Sequence, residues 1–429
     1  MEKNEKNTNT KSIDPNRRII GLDAHPDTFT AALIRGQTPA QAEVEKVFNK
    51  INMRQLSSWA QEHTSASDLF VLEASGNSFR IVRTLAAIDR RALVLESCQM
   101  GKLKEAHANN DKISAVRIGK AYLAGTAKEV WLPDPKTQER RDLFHIHRKS
   151  VKRTSQLCNR ISSYLSDNGV RLKQADDVMI PELVLQSAIW SVRQRQVLDG
   201  MLMELRHARE QRLHWESLIA QEVLADPLLL SLTRLHGVRD IIAFSLGAII
   251  GDISRFAEPK KLVKYVGLNP AFDDSGEGSW RGGIGGHGRK DLRCLLIEGA
   301  HAILRSDQPA GQWGRKLMAS KGSRNLAVAA VARKLIVSVW YLMNGRWSAV
   351  EQIDPTMTRK IGKIITRVGT DKLKQLDKTR ETLRQDAQQS LKSGRVYILD
   401  PNKRMRPPKP KGEDTPKKDP EKEQLEGRI

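Results

Sequence analysis

From Arg18 onward, short apolar runs closed by polar turns alternate with helical stretches, and no other feature restricts the fold of this chain as much. RIIGLDAH (18–25), DTFTAALIR (27–35), LFVLEAS (69–75) and RALVLES (91–97) read as strands, with helices expected near Met53 to His63 and Ser78 to Ala87. Strands interleaved with helices indicate an α/β sheet. The first two runs, joined around Pro26–Asp27, are positioned to pair as a hairpin. An antiparallel opening followed by β–α units is compatible with an RNase H-like fold, and a flavodoxin-like sheet fits the same periodicity nearly as well.

After Trp131-Leu132-Pro133-Asp134-Pro135 the pattern changes. Residues 137–225 are charged, with recurring Leu, Ile, Val and Trp, and read as two long helices. Leu185, Ile189, Val192, Val197, Met201 and Leu205 lie near helical spacing, a stripe for the partner helix or for another protomer. From Leu228 a third region begins, where LTRLHGVRDIIAFSLGAIIGDISRF (232–256) resembles two helices joined by a glycine turn, as in a helix–hairpin–helix whose turn amides hold a phosphate. RNLAVAAVARKLIVSVWYLMN (324–344) reads as the helix that closes this region's core, and 355–392 as further charged helix without an assigned role. Polar termini predict disorder over 1–17 and 401–429. The expected organisation is therefore an α/β domain over 18–130, a long-helix connector over 131–227, a mainly helical domain over 228–350 and a helical extension over 351–400.

Charge narrows the partner. The chain's 429 residues include 72 Lys and Arg against 50 Asp and Glu, a formal charge of +22. Such an excess favours a polyanion, because each phosphate neutralised releases counterions. Nucleic acid is the leading candidate; the low aromatic content, and no apolar run reaching the roughly 18 residues of a membrane span, disfavour a membrane. The first residues lack the apolar core of a secretory signal, so a cytoplasmic protein is expected. Cys98, Cys158 and Cys294 are too few and too scattered for a disulfide framework or a zinc site and read as small buried residues. His145 and His147, among Arg140, Arg141, Arg148 and Lys149, read as a basic helical face.

Two sets of residues carry chemistry. Asp23 and Glu73 each end an apolar strand and Asp111 opens the helical run DKISAVRIGKAYL, so carboxylates from separate positions are available to hold a divalent cation such as Mg²⁺, which prefers oxygen ligands. The second set lies in YVGLNPAFDDSGEGSWRGGIGGHGRKDLRCLLIEGAH (265–301), where glycines remove side chains and Arg281, Arg289, Lys290 and Arg293 supply positive charge. Ser275 is the nucleophile candidate there. Taken singly, strand-end acids cap helices or meet water, and glycines and serines turn corners.

Together the two sets resemble the transposases of the insertion-sequence one-ten family, related to the Piv invertase. The resembling residues are Gly21-Leu22-Asp23, Glu73-Ala74-Ser75-Gly76 and Asp111-Lys112-Ile113-Ser114-Ala115 in a RuvC-like domain. The C-terminal part contributes Gly267-Leu268-Asn269-Pro270, Ser275-Gly276 and Gly288-Arg289-Lys290-Asp291-Leu292-Arg293. The resemblance spans roughly 18–350. It implies an RNase H-like N-terminal domain with Asp23, Glu73 and Asp111 as metal ligands, and Ser275 as nucleophile in site-specific DNA strand exchange. It also implies guidance by a structured noncoding bridge RNA and assembly of several copies of the chain, a dimer or tetramer. A serine hydroxyl is a weak nucleophile and needs the metal's help, so the chemistry requires the acids and the serine to reach one phosphate. One departure stands out: Ser114 occupies the position of the family's fourth acid, which removes one negative charge from the metal site. Two alternatives follow from that departure and from the charge. One is a RuvC-like endonuclease using water, and the other is a nucleic-acid-binding protein with impaired catalysis.

Overall fold

The computed structural model describes residues 18–97, 110–173, 178–275, 278–346, 348–349, 354–392 and 395–396, with backbone alone at 271–275, 278–281, 348–349 and 395–396. The termini 1–17 and 401–429, and Cys98, lie outside the described residues. The chain divides between Asp134 and Pro135 into two compact units.

The first unit is built on a five-stranded mixed sheet of order β3-β2-β1-β4-β5. Its strands are β1 (Ile19–Ala24), β2 (Thr28–Arg35), β3 (Glu43–Asn52), β4 (Leu69–Glu73) and β5 (Arg91–Leu95). The expected hairpin forms, with β1 antiparallel to β2, and β1, β4 and β5 run parallel. Strand β3 was not legible as a strand. As an edge strand it is largely exposed, so its sequence, EVEKVFNKIN, shows no apolar run, and register shifts against β2 break its alternation.

Alternation along the strands sorts their side chains onto two faces. Ile20, Leu22, Phe70 and Leu72 pack with Trp59, Ile81 and Leu85 of α1 (Leu56–His63) and α2 (Ser78–Ala86). Ile19, Ile34, Leu69 and Val71 pack instead with Ala115, Ile118 and Ala121 of α3 (Asp111–Leu123). The helix α3 begins where the sequence predicts, because the Asn110 side chain accepts a hydrogen bond from the Ile113 amide at 2.9 Å and caps it. Gly21 lies under α3: a Cβ there would overlap the Ala115 carbonyl oxygen. At the far edge of the sheet, Val130 N–H donates to Val94 C=O at 2.7 Å, so the segment leaving α3 covers β5.

The second unit is mainly helical. It opens with α4 (Pro135–Asp167), α5 (Pro181–Gln186) and α6 (Val192–Ala225). Leu157, Ile161 and Leu165 of α4 meet Leu198, Leu202 and Leu205 of α6. Of the stripe expected from the sequence, Leu205 is buried and Leu185 and Met201 pack against this core, whereas Ile189 and Val192 are exposed. A capping box between Ser191 and Gln194 starts α6 only at Val192, so Ile189 precedes the helix.

There follow α7 (Pro227–Leu232), α8 (Asp240–Ile250), α9 (Pro259–Val266), the hairpin β6 (Pro270–Ser275) and β7 (Gly278–Ile284), α10 (Lys290–Leu304), α11 (Pro309–Lys321) and α12 (Arg324–Met343). The last helices are α13 (Pro355–Val368), α14 (Thr370–Gln375) and α15 (Arg380–Lys392). One core unites Phe144, Ile219 and Val223 of the long helices with Phe244, Leu296, Leu335, Ile361, Leu383 and Leu391. The segment 355–392 is therefore part of that core. Helix α12 is long and apolar enough to cross a membrane by composition, unlike the sequence expectation of no such run, but 61% of its most apolar window is buried inside the protein. Arg333 and Lys334 interrupt it midway.

Lys360 of α13 fixes the turn between α7 and α8. Its ammonium donates to the carbonyls of Thr233 at 2.6 Å, Leu235 at 3.0 Å and Val238 at 3.1 Å. Burial lowers its pKa to about 8. Lys360→Met leaves these carbonyls without the ammonium donor and is expected to cost about 2 kcal/mol at pH 7, read by urea unfolding. The unfolded lysine titrates near 10.5. Between the two values the unfolded chain binds the extra proton, so this residue's contribution to stability rises with pH across that window. The wild-type advantage over Lys360→Met therefore grows from pH 7 to pH 9; parallel profiles would contradict the assignment.

Candidate metal and nucleophile sites

The parallel register Leu22 to Leu72 makes Asp23 and Glu73 the next residues on neighbouring strands, at the same edge of the sheet. Strand alternation turns both toward the face that carries α3, and Asp111 is the first residue of that helix. Gly21 allows the close approach, since α3 rests on its backbone. At this corner, ligand atoms of Asp23, His25 and Asp111 lie within 4.8 Å of one another. His25 Nε2 stands 3.5 Å from Asp111 Oδ1 and 3.9 Å from Asp23 Oδ2. The loop after β4 is tied to the same corner, because Asn77 Nδ2 donates to the His25 carbonyl at 2.9 Å.

The structure thus brings together two of the three expected acids and adds a histidine. Glu73 leaves the adjacent strand end but is not within that 4.8 Å set. Ser114 lies one helical turn beyond Asp111, partly exposed. Two carboxylates with partly exposed side chains fit a divalent cation that keeps several of its waters, as Mg²⁺ does. His25 was missed because the histidines look scattered in sequence. Its signal was local: it follows Asp23 by two residues, and the tight turn back to Thr28, with His25 N–H donating to Thr28 C=O at 2.8 Å, returns the imidazole to the strand end.

In the second unit, the glycine-rich segment expected as a loop is a hairpin. Ser275 ends β6 and pairs with Gly278 of β7, so the serine stands at the hairpin's tip, where only the backbone is described. Below it the motif residues lock together. Gly267 adopts a left-handed conformation (φ 78°) at the end of α9 and Gly288 does the same (φ 86°); a Cβ on Gly288 would come within 2.7 Å of Tyr265 O. Arg293 donates to the carbonyls of His287 at 2.7 Å, Val266 at 3.1 Å and Gly267 at 3.3 Å, and Arg333 to that of Leu268 at 3.0 Å.

Arg289 makes a bidentate pair with Asp291 at 2.7 and 3.1 Å. Burial alone would lower its pKa and raise that of Asp291; the pairing outweighs burial in both, so both stay charged. Among the four cations singled out in the glycine-rich segment, Arg289 and Arg293 thus have structural partners, Lys290 is exposed, and the Arg281 side chain lies outside what is described. On α4 the basic face holds for Arg148 and Lys149, whereas His147 turns inward to Glu216, 3.7 Å away. Burial, and then the charges of Arg289 and Arg141, push the His145 imidazole below its usual range. The cysteines do not fit their expected burial: Cys294 is exposed and Cys158 is partly buried.

Residues 230–313, from α7 through the hairpin into α11, match the family described as transposase IS116/IS110/IS902. The transposase of insertion sequence element IS1111A from Coxiella burnetii is 27% identical over 281 residues, which is 64% of this chain and 77% of the relative. A Pseudomonas aeruginosa protein carrying the name of a family 20 transposase is 22% identical over 285 residues, 64% of this chain and 84% of its own. Residues 230–313 thus resemble the transposase domain of the IS110 family. Within the matched region the glycines divide by role. Gly267 and Gly288 are required by the fold, whereas a Cβ on Gly283, Gly285 or Gly286 would meet nothing within 4 Å. Packing does not explain those three glycines, and their bare backbone suits the close approach of a ligand.

Proposed function

We propose that this chain is a DNA transposase that cuts and rejoins strands through Ser275, with Asp23, Asp111 and Glu73 holding Mg²⁺ and a structured noncoding RNA directing the sites. The observation that carries the reading is the convergence of Asp23, from a strand end, and Asp111, from a helix start, within 4.8 Å at one corner of the sheet. A strand order of β3-β2-β1-β4-β5 with antiparallel β2 departs from an all-parallel flavodoxin-like sheet and supports the RNase H-like assignment. Several copies of the chain assemble for exchange between two duplexes.

In this mechanism Ser275 Oγ attacks a DNA phosphorus. The Oγ–P bond forms, the bond to the departing strand's oxygen breaks, and the hydroxyl proton passes to solvent while the leaving oxygen takes one up. The phosphoserine link conserves the bond energy, and a strand hydroxyl reverses the step to reseal. A bound Mg²⁺ would supply charge stabilisation and polarise the phosphate. Asp23 and Asp111 would hold that charge in place, His25 orients the Asp111 carboxylate, and the bare glycine backbone at and just after the end of β7 admits the strand.

The test incubates full-length protein, RNA transcribed from the DNA flanking its gene, labelled donor and target DNA and Mg²⁺, and reads SDS-resistant protein–DNA adducts. Wild type is expected to give adducts that Ser275→Ala and EDTA abolish. Ser114→Asp adds a carboxylate one turn from Asp111 and is expected to raise Mg²⁺ affinity by about tenfold. Cleavage that persists in Ser275→Ala without adducts would instead establish hydrolysis by water at the acid corner. Tight binding with no Mg²⁺ dependence would establish a binding protein.

A further inference from the structure

A groove of about 400 Å³ runs along the outer face of α3, lined by Val47 of β3 and by Lys112, Ile113, Val116, Arg117 and Lys120. Three of the six lining residues are cationic. Ile113, Val116, Arg117 and Lys120 follow helical spacing and form one stripe, while Ala115, Ile118 and Ala121 on the other side bury against the sheet. Ile113 is 45% exposed. Glu45, on the same edge strand, is paired with Arg35 at 2.6 Å and Arg18 at 3.5 Å. The groove starts at the turn of α3 that carries Asp111.

We propose that this groove seats the single DNA strand that continues from the phosphate presented to the Asp23–Asp111 corner. The inference rests on the acid corner being where DNA is handled. Its chemistry fits a strand: Lys112, Arg117 and Lys120 meet successive phosphates, while Val47, Ile113 and Val116 receive sugar and base surface that a duplex would hide. Asp111 to Lys120 spans roughly 14 Å of helix. At about 3.4 Å per stacked nucleotide, that is room for about four.

The experiment uses the full chain in EDTA, which separates binding from chemistry, with a fluorescent twelve-nucleotide single-stranded DNA and an RNA of the same sequence. The triple variant Lys112→Gln/Arg117→Gln/Lys120→Gln, with its thermal midpoint verified, is expected to bind DNA about tenfold more weakly at 0.15 M salt. The slope of log K against log salt should fall by about 2, since each phosphate contact on a single strand contributes about 0.7. Ile113→p-benzoylphenylalanine should photocrosslink to the DNA. An unchanged slope, or crosslinking to RNA or to a second copy in place of DNA, overturns the proposal. Failure of the parent reading shows differently: Mg²⁺-dependent cleavage persisting in Asp23→Asn removes the acid corner from the chemistry, whatever the slope.

Discussion

Asn in place of Asp23 is expected to reduce Mg²⁺-dependent adduct formation by about 10²- to 10³-fold while leaving the thermal stability of the first unit unchanged or slightly raised. The activity term follows from charge. A metal's stabilisation of a transferring phosphate is worth several kcal/mol, and about 1.4 kcal/mol corresponds to each factor of ten. Among the described residues Asp23 is one of two carboxylates in the group of ligand atoms within 4.8 Å, and Ser114 supplies no charge to replace it. The stability term has the opposite sign, because without metal Asp23 and Asp111 repel each other at the sheet's corner. Calorimetric Mg²⁺ titration should show the loss of affinity directly. Retained activity at ordinary Mg²⁺ would remove Asp23 from the metal site.

Gly21→Ala is expected to destabilise the first unit by about 3 kcal/mol or more, lowering its midpoint by roughly 10 °C, and to abolish adducts as well. The added methyl points at the Ala115 carbonyl, which is backbone and has no rotamer through which to move aside. Helix α3 must lift off the sheet. That movement breaks the packing of Ile118 and Ala121 against Ile19 and Val71, and it carries Asp111 away from Asp23. Gly76, in the segment following Glu73, provides the control: a Cβ there meets nothing within 4 Å, so Gly76→Ala should leave the midpoint unchanged. Differential scanning calorimetry of both variants checks the pair. A tolerated Gly21→Ala would mean that α3 is free to adjust and that the acid corner is not held by this contact.

Strands β1, β2, β4 and β5, helix α3 and the long helices were legible because each has an uninterrupted apolar pattern or a strong cap. Strand β3 and the start of α6 were not, because an edge strand buries too little to leave a pattern and because Ser191, not the apolar spacing, decides where α6 begins. Asp23, Glu73, Asp111 and Ser275 were singled out as candidates through residue type and motif order. The sequence by itself determined the α/β start, the helical remainder and the nature of the available chemistry, since periodicity and residue type are local properties. Tertiary structure alone decided which groups meet. It drew His25 back to Asp23 through a turn, set α3 on Gly21 so that Asp111 faces a strand end, and committed Arg293 to backbone carbonyls. Each of these depends on contacts between residues distant in the chain, and such distances are fixed by packing, which no local pattern records.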